Sequence, residues 1–270
     1  PETSVSIAAS MNNQNTLAVS NVVGSNIFNL MVVLGICAVI SKLQVSRDVL
    51  KRDYPFSVLC AILLLVCGCI GMELGRIDGI VFLVIFVGFI VVLIKSAMDA
   101  RKRGEISEKE REMNEEMSEM KEQPVWKSII YIVGGAIAIK YGGDWVVDSA
   151  STIATSFGIS ATLVGLTICS VGTSLPELVT SIVAARKNEL DMAVGNVVGS
   201  NVFNILMVLG VAATISPITF LMENVIDIIV LLVFSLITWV FCITKKEIGK
   251  KEGIIMLVLY AIYLVYICLR

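Results

Sequence analysis

The chain has 270 residues, of which 56% are hydrophobic and only 16% are charged, and its mean hydropathy is +0.86. A soluble domain carries roughly a quarter charged residues, so this composition excludes an ordinary soluble protein and indicates a membrane protein. The formal net charge is −2, and the charged residues lie in short stretches between apolar blocks. This distribution gives no support for nucleic-acid binding.

Apolar blocks of about 20 residues, long enough to cross a bilayer, recur along the chain. Because backbone in lipid must satisfy its own hydrogen bonds, and because the blocks do not alternate in polarity as barrel strands do, we predict an all-α transmembrane helix bundle. In chain order, the predicted spanning helices cover 16–41, 55–73, 77–98, 125–149, 159–186, 190–216, 219–243 and 251–269, after a truncated segment over 1–11.

Basic residues occupy every second turn between these helices. They occur in the stretches 42–53, 99–124, 186–187 and 245–251. The turns over 12–15, 150–158 and 217–224 contain none, and the turn over 74–76 contains only Arg76. Because cytoplasmic loops carry the excess of Lys and Arg, we predict that 42–53 and 99–124 are cytoplasmic and that the C-terminus is outside. We expect the plasma (inner) membrane as the location.

The sequence contains an internal repeat. Residues 19–35 read VSNVVGSNIFNLMVVLG and residues 194–210 read VGNVVGSNVFNILMVLG, an offset of 175 with 12 of 17 positions identical. The same offset places Glu2 on Glu177. A chance similarity of apolar segments would not preserve the Asn, Gly and Ser residues in register, so the motif is duplicated.

Five predicted crossings separate the two copies, and an odd number makes the second copy run in the opposite direction through the membrane. We therefore divide the chain into a first inverted repeat over 1–98, a cytoplasmic linker over 99–124 and a second inverted repeat over 125–270. Inverted repeats are the architecture of many secondary transporters, whose binding site lies near the midplane where the copies meet.

The second copy places an acidic side chain inside a predicted spanning helix, which usually marks function. Thr173 and Ser174 lie four and three residues before Glu177, so one helix face carries all three oxygen-bearing side chains. Pro176 has no N–H, which weakens the helix there and frees a carbonyl group.

Oxygen ligands predominate in both copies, as hard cations require. Ser200 and Asn204 are four residues apart and share a helix face. Two carboxylates, Glu2 and Glu177, would neutralise one Ca²⁺ in a low-dielectric site, and the same oxygens could instead bind several Na⁺ ions. The absence of histidine removes the commonest transition-metal ligand.

Other interpretations remain open for some of these residues. The glycines of the motif, Gly195 and Gly199 among them, could serve close helix packing. The motif asparagines could form hydrogen bonds between helices without binding an ion. Asp227 is predicted to be a capping or interface charge near a helix start.

At these motifs the sequence resembles the sodium/calcium exchanger family of the calcium/cation antiporter superfamily, of the prokaryotic type. The hallmark of that family is a pair of inverted repeats, each with a GTSLPE-type and a GSN-type segment. The second copy matches throughout, over 172–177 and 195–210, and the first matches from Pro1 to Asn29. The resemblance extends over essentially the whole chain.

The resemblance implies a ten-helix fold, of which this chain would lack the first helix and half of the second. It also implies an ion-binding set drawn from both copies. Glu2 and Glu177 would be the central ligands, completed by Ser25, Asn29, Ser174, Ser200, Asn204 and the carbonyl of Thr173.

The function implied is secondary active antiport of Na⁺ against Ca²⁺ by alternating access, with the two ions as substrates, no cofactor and no enzymatic activity. An alternative is an antiporter of H⁺ against Ca²⁺ or another divalent cation that uses the same glutamates. A passive cation channel fits less well, because channels usually repeat in parallel around a central pore.

Overall fold

The computed structural model describes residues 1–11, 15–102, 124–158, 161–187 and 190–270. The first half contains α1 (Glu2–Met11), α2 (Asn15–Phe28), the π-helical segment π1 (Asn29–Val33), α3 (Leu34–Ile40), β1 (Leu43–Gln44), π2 (Val49–Asp53), α4 (Tyr54–Cys69), β2 (Glu73–Leu74) and α5 (Arg76–Lys102). The second half contains α6 (Val125–Ser156), α7 (Ala161–Val164), π3 (Gly165–Cys169), α8 (Ser170–Thr173), α9 (Leu175–Arg186), α10 (Leu190–Phe203), π4 (Asn204–Leu209), α11 (Gly210–Ile215), β3 (Ile218–Thr219), α12 (Met222–Lys245), β4 (Glu247–Ile248) and α13 (Lys250–Leu269).

The duplication is visible element by element. Apart from π2, the order from α1 to α5 reappears from α9 to α13, so that α2 corresponds to α10, π1 to π4 and β1 to β3. In both copies the helix changes from α to π geometry at the last asparagine of the GSN-type segment, Asn29 or Asn204. π-Helical turns of this kind are frequent at functional sites.

Two short antiparallel ribbons show that the copies run in opposite directions. Strand β1 pairs with β4, and β2 pairs with β3. The helix Val49–Cys69 leads from one ribbon to the other, and its 21 residues rise roughly 30 Å, so the ribbons lie at opposite ends of the bundle. The first copy runs from α2 towards β1 and the second from α10 towards β3, which makes the repeat inverted.

The strand pairing places the loops in two groups, and these are the groups that the distribution of basic residues predicted. The Lys- and Arg-rich stretches 42–53 and 245–251 adjoin the β1–β4 ribbon. The β2–β3 ribbon adjoins the stretch 217–224, which has no basic residue, and the turn that contains only Arg76. Each group therefore shares one face of the bundle.

Six described helices are long and apolar enough to span a membrane: Thr16–Ile40, Val49–Cys69, Arg76–Asp99, Met192–Ile215, Met222–Thr244 and Lys250–Leu269. The predicted span over 159–186 is not one straight helix but a pair, Thr162–Thr173 and Leu175–Arg186, bent by 43°. The predicted helix over 125–149 extends to Ser156 in α6, which is not among the six. Most of the predicted linker, 103–123, lies outside the described residues.

The repeated motif forms the centre of the bundle. In the span Thr16–Ile40, 78% of the apolar 18-residue stretch is buried inside the protein. The corresponding fraction is 61% in Met192–Ile215 and 11% in Arg76–Asp99. The helices of the two copies therefore pack on each other, and α5 presents most of its apolar surface outward, as a lipid-facing helix does.

Asp227 is a buried ion-pair partner, and the prediction of a capping or interface charge was wrong. It is fully buried, and its carboxylate accepts hydrogen bonds from both terminal nitrogens of Arg270, at 2.9 and 2.7 Å, and from the Tyr263 hydroxyl at 3.0 Å. The contact joins α12 to the end of α13. Burial of the Asp227 carboxylate is tolerated because it is paired and hydrogen-bonded.

Candidate cation site

The two predicted carboxylates, one from each copy, lie at the same cavity. Glu2 is in the first turn of α1 and Glu177 in the first turn of α9, which begins directly after the bend at Ser174. The cavity has a volume of about 510 Å³. Its lining consists of Pro1, Glu2, Thr3, Glu177, Gly195, Asn196, Gly199, Ser200, Phe203 and Asn204.

The two carboxylates have different environments. Glu2 is 4% exposed, and its Oε1 accepts a hydrogen bond of 3.2 Å from the Ser174 hydroxyl. The Oε2 of Glu177 is buried and has no hydrogen-bond partner among the described residues. A buried carboxylate oxygen without a donor is unfavourable unless a proton or a cation approaches it. This oxygen is therefore a candidate cation ligand.

Buried hydroxyl groups form hydrogen bonds between the two copies. The hydroxyl of Ser25 lies 3.3 Å from that of Thr173 and also donates to the carbonyl of Ser170 at 3.4 Å. Thr173 donates in addition to Oδ1 of Asn21 at 3.4 Å. All these polar groups are buried, so α8 is held to α2 by hydrogen bonds inside the apolar core.

Four carboxamides cross between the copies at the centre of the bundle. Asn26 Nδ2 donates to the carbonyl of Asn201 at 3.2 Å, and Asn201 Nδ2 donates to the carbonyl of Asn26 at 3.3 Å. Asn29 Nδ2 donates to Asn201 Oδ1 at 3.3 Å, and Asn204 Nδ2 to Asn26 Oδ1 at 3.1 Å. All four are at most 3% exposed. The Oδ1 of Asn29 is buried without a partner among the described residues.

Half of the predicted site residues line the cavity, and the other half are buried between the two copies. Glu2, Glu177, Ser200 and Asn204 line the cavity. The remaining four are fully or almost fully buried in hydrogen-bond contact between the copies: Ser25, Asn29, Thr173 and Ser174.

The glycines of the motif lie in two kinds of surroundings. A Cβ atom on Gly24 would lie 2.8 Å from the carbonyl oxygen of Leu166, so Gly24 permits close helix packing. Its counterpart Gly199, and also Gly195, would meet no described atom within 4 Å. Both residues line the cavity.

The interpretation of the asparagines as links between helices holds for Asn21, Asn26, Asn196 and Asn201. Asn21 donates to Ser6 at 3.5 Å, and Asn196 donates to Ser181 at 3.1 Å, so the same bond recurs in both copies. The contact of Asn26 and Asn201 with Asn29 and Asn204 could not be found from the sequence, because it joins helices about 175 residues apart. Their identity at equivalent positions of the two copies was the only available signal.

The polar groups at the candidate site are oxygen-bearing side chains of several kinds. Among the described residues no group of three or more His, Cys, Asp or Glu side chains could hold a metal ion. Two carboxylates, hydroxyls and carboxamide oxygens are the groups present, and these are ligands of hard cations such as Ca²⁺ and Na⁺. Two antiparallel copies of one helical motif, with a carboxylate from each at one cavity, define an inverted-repeat membrane transporter.

Comparison with known proteins places this transporter in a family. Residues 1–95 and 127–269 match the family model described as sodium/calcium exchanger protein. The chain belongs to the sodium/calcium exchanger family, as the motifs predicted. It is accordingly an integral, multi-pass membrane protein, and its activity is that of a cation/Ca²⁺ antiporter.

Relatives and solved structures agree with this assignment. The chain is 36% identical over 246 residues to inner membrane protein YrbG of Escherichia coli (strain K12), covering 88% of this chain and 74% of YrbG. It is 30% identical over 293 residues to sodium/calcium exchanger MaX1 of Methanosarcina acetivorans, covering 98% and 84% of the two chains. The solved structure of the sodium-calcium exchanger NCX_Mj soaked with 2.5 mM Na⁺ and 10 mM Sr²⁺ matches with a TM-score of 0.74 and 30% identity, over 98% of this chain and 81% of NCX_Mj.

Proposed function

We propose that the protein exchanges Na⁺ for Ca²⁺ by alternating access at the cavity between α1, α9 and α10. The observation that carries this proposal is the position of Glu2 and Glu177, one from each inverted copy, at a single cavity, with Glu177 Oε2 buried and unpartnered. Two carboxylates balance the charge of one Ca²⁺. When Ca²⁺ leaves, the same oxygens can be shared among Na⁺ ions, so the two substrates compete.

The ligand set that we propose combines the residues that line the cavity with the residues that are buried between the two copies. Four residues would contact the ions from the cavity: Glu2, Glu177, Ser200 and Asn204. The four buried residues would complete the ion sites when the helices move: Ser25, Asn29, Thr173 and Ser174. The sodium coupling is supported by the names of MaX1 and NCX_Mj, both of which are called sodium/calcium exchangers. No resident cofactor is needed, because the driving force is an ion gradient.

A proton-coupled Ca²⁺ antiporter is the second candidate, and one observation favours it. The donor-free oxygen of Glu177 can accept a proton as readily as it can contact a cation. Protons would then replace Na⁺ as the competing ion at the same carboxylates. A passive cation channel would need no countertransported ion at all.

We further propose a location in the plasma (inner) membrane. YrbG is called an inner membrane protein, which supports this location. The β1–β4 ribbon and the segment 99–124 would face the cytoplasm, because the basic residues concentrate there. The β2–β3 ribbon and the C-terminus would face outward.

The test is Ca²⁺ uptake into sealed vesicles that contain the full-length protein, with and without an outward Na⁺ gradient. We expect Na⁺-driven uptake in the wild type and its loss in Glu177→Gln, which keeps the shape of the side chain and removes the charge. Glu73→Gln is the matched control, because Glu73 is exposed in β2, and it should transport as the wild type does.

The other outcomes assign the alternatives. Uptake that follows a pH gradient and ignores Na⁺ would establish proton coupling. Uptake that requires no countertransported ion would establish a channel. Uptake that survives Glu177→Gln would remove this carboxylate from the site.

A further inference from the structure

The four carboxamides at the centre of the bundle are arranged as two equivalent pairs. Asn26 and Asn201 occupy equivalent positions of the two copies and bond to each other's backbone carbonyls. Each also accepts a hydrogen bond from a carboxamide of the other copy. Asn29 donates to Asn201, and Asn204 donates to Asn26.

The backbone carbonyls determine which way every one of these amide groups points. A carbonyl oxygen can only accept a hydrogen bond, so the atom that Asn26 and Asn201 direct at it must be the NH₂ group. Their Oδ1 atoms are thereby turned towards Asn204 and Asn29. These two residues must in turn present their NH₂ groups, because an oxygen facing an oxygen would be repelled.

The orientation leaves the oxygens of Asn29 and Asn204 free of the network. Asn29 Oδ1 is buried and without a partner among the described residues, and Asn204 lines the cavity. A carboxamide oxygen is a good ligand for Ca²⁺ or Na⁺, whereas the NH₂ group of a flipped carboxamide would repel a cation. The direction of these two amides therefore affects how strongly the site binds its ion.

We propose that Asn26 and Asn201 are positioning residues for cation binding. Each acts through the ligand carboxamide of the other copy: Asn201 through Asn29, and Asn26 through Asn204. The proposal rests on the proposed function only in taking Asn29 and Asn204 as ion ligands. It gives Asn26 and Asn201 a role in ion binding in addition to linking the helices.

Coupling between substitutions separates the two roles. A residue that acts through one ligand loses its effect on ion affinity once that ligand is removed, whereas loss of a helix link adds to every other defect. The crossed arrangement supplies its own control. Asn201→Ala should be non-additive with Asn29→Ala and additive with Asn204→Ala, and Asn26→Ala should show the opposite pattern.

The experiment measures the Ca²⁺ concentration that half-maximally raises the thermal midpoint of the purified full-length protein in detergent. Loss of one orienting hydrogen bond should weaken the apparent Ca²⁺ affinity about three- to tenfold in Asn201→Ala. In the Asn29→Ala background the same change should have no further effect. In the Asn204→Ala background the two losses should multiply.

Multiplying losses in all four pairs would overturn the proposal, as would unchanged Ca²⁺ affinity in both Asn26→Ala and Asn201→Ala. If an alanine variant does not fold, Asn201→Ser and Asn26→Ser serve instead, since the shorter hydroxyl cannot reach the ligand carboxamide. Because the readout is Ca²⁺ binding, it is independent of the coupled ion. Vesicle transport that ignores Na⁺, together with the crossed pattern, would reject the proposed exchange and leave the positioning role established.

Discussion

The carboxylate of Asp227 is fully buried between Arg270 and Tyr263, at the end of the bundle that carries the β2–β3 ribbon. Asn224, one turn earlier on α12, donates a hydrogen bond of 3.1 Å to Ser20 on α2. The first two turns of α12 therefore connect the end of α13 to the central motif. A change at Asp227 acts on the stability of this connection and does not touch the ions.

Replacing Asp227 by Asn should lower the free energy of unfolding by about 1.5–3 kcal/mol, because the charge-assisted hydrogen bonds between the buried carboxylate and Arg270 are lost. The thermal midpoint in detergent measures this. Glu247→Gln is the control, since Glu247 pairs with Lys42 at 3.7 Å in an exposed position and should cost less than about 1 kcal/mol. A double change to Asp227→Leu and Arg270→Met should restore part of the loss. A midpoint of Asp227→Asn equal to that of the control would contradict the role of the ion pair.

At the scale of elements, two pairs of glycines permit close helix contacts between the halves. A Cβ atom on Gly79 of α5 would lie 2.7 Å from the carbonyl oxygen of Gly210 in α11. The equivalent contact joins Gly253 of α13 to the carbonyl of Gly35 in α3, also at 2.7 Å. Both distances are too short for a side chain, so the backbones touch where the outer helix of one copy crosses the central helix of the other.

Gly79→Ala should therefore destabilise the bundle by about 1–3 kcal/mol, because a backbone carbonyl cannot move aside for the added methyl group. Gly88 lies on the same helix and has no described atom within 4 Å of its Cβ position. Gly88→Ala should be neutral or stabilising by up to about 1 kcal/mol, since alanine is the better helix former. Equal thermal midpoints for the two variants would show that the contact is not as tight as the structure has it.

The helical elements and the central carboxylates could be predicted from the sequence, because apolar blocks and a repeated polar motif are local patterns. Pro176 likewise indicated the weakness at which the helix bends by 43°. The π-helical turns at Asn29 and Asn204 could not be predicted, since no residue pattern specifies them. The bond between Asp227 and Arg270, and the crossed carboxamides, depend on which helices become neighbours, and a single sequence does not contain that information.

At the scale of the whole molecule, the two ribbons establish the inverted arrangement and offer a direct test of it. Gln44 in β1 and Thr219 in β3 are equivalent residues of the two copies, and both are exposed. Because the ribbons lie at opposite ends of the bundle, equivalent positions of the two copies should face opposite sides of the membrane.

In right-side-out vesicles, a membrane-impermeant maleimide should label Thr219→Cys and should reach Gln44→Cys only after lysis. The exposed native thiols, Cys69 and Cys268, are first changed to serine. Labelling of both positions from the same side would refute the inverted repeat. Labelling of Gln44→Cys alone would keep the repeat and reverse the orientation predicted from the basic residues.

The crossed carboxamides also have a consequence for the synthesis of the protein. Asn26 and Asn29 find their partners in Asn201 and Asn204, 172 to 178 residues further along the chain. At about 5–20 residues per second, a ribosome needs roughly 9–35 s to reach those partners. For that time the first half lies in the bilayer with amide groups that the finished bundle will bury. The candidate ion site can therefore form only after the second copy of the motif has been synthesised and has docked against the first.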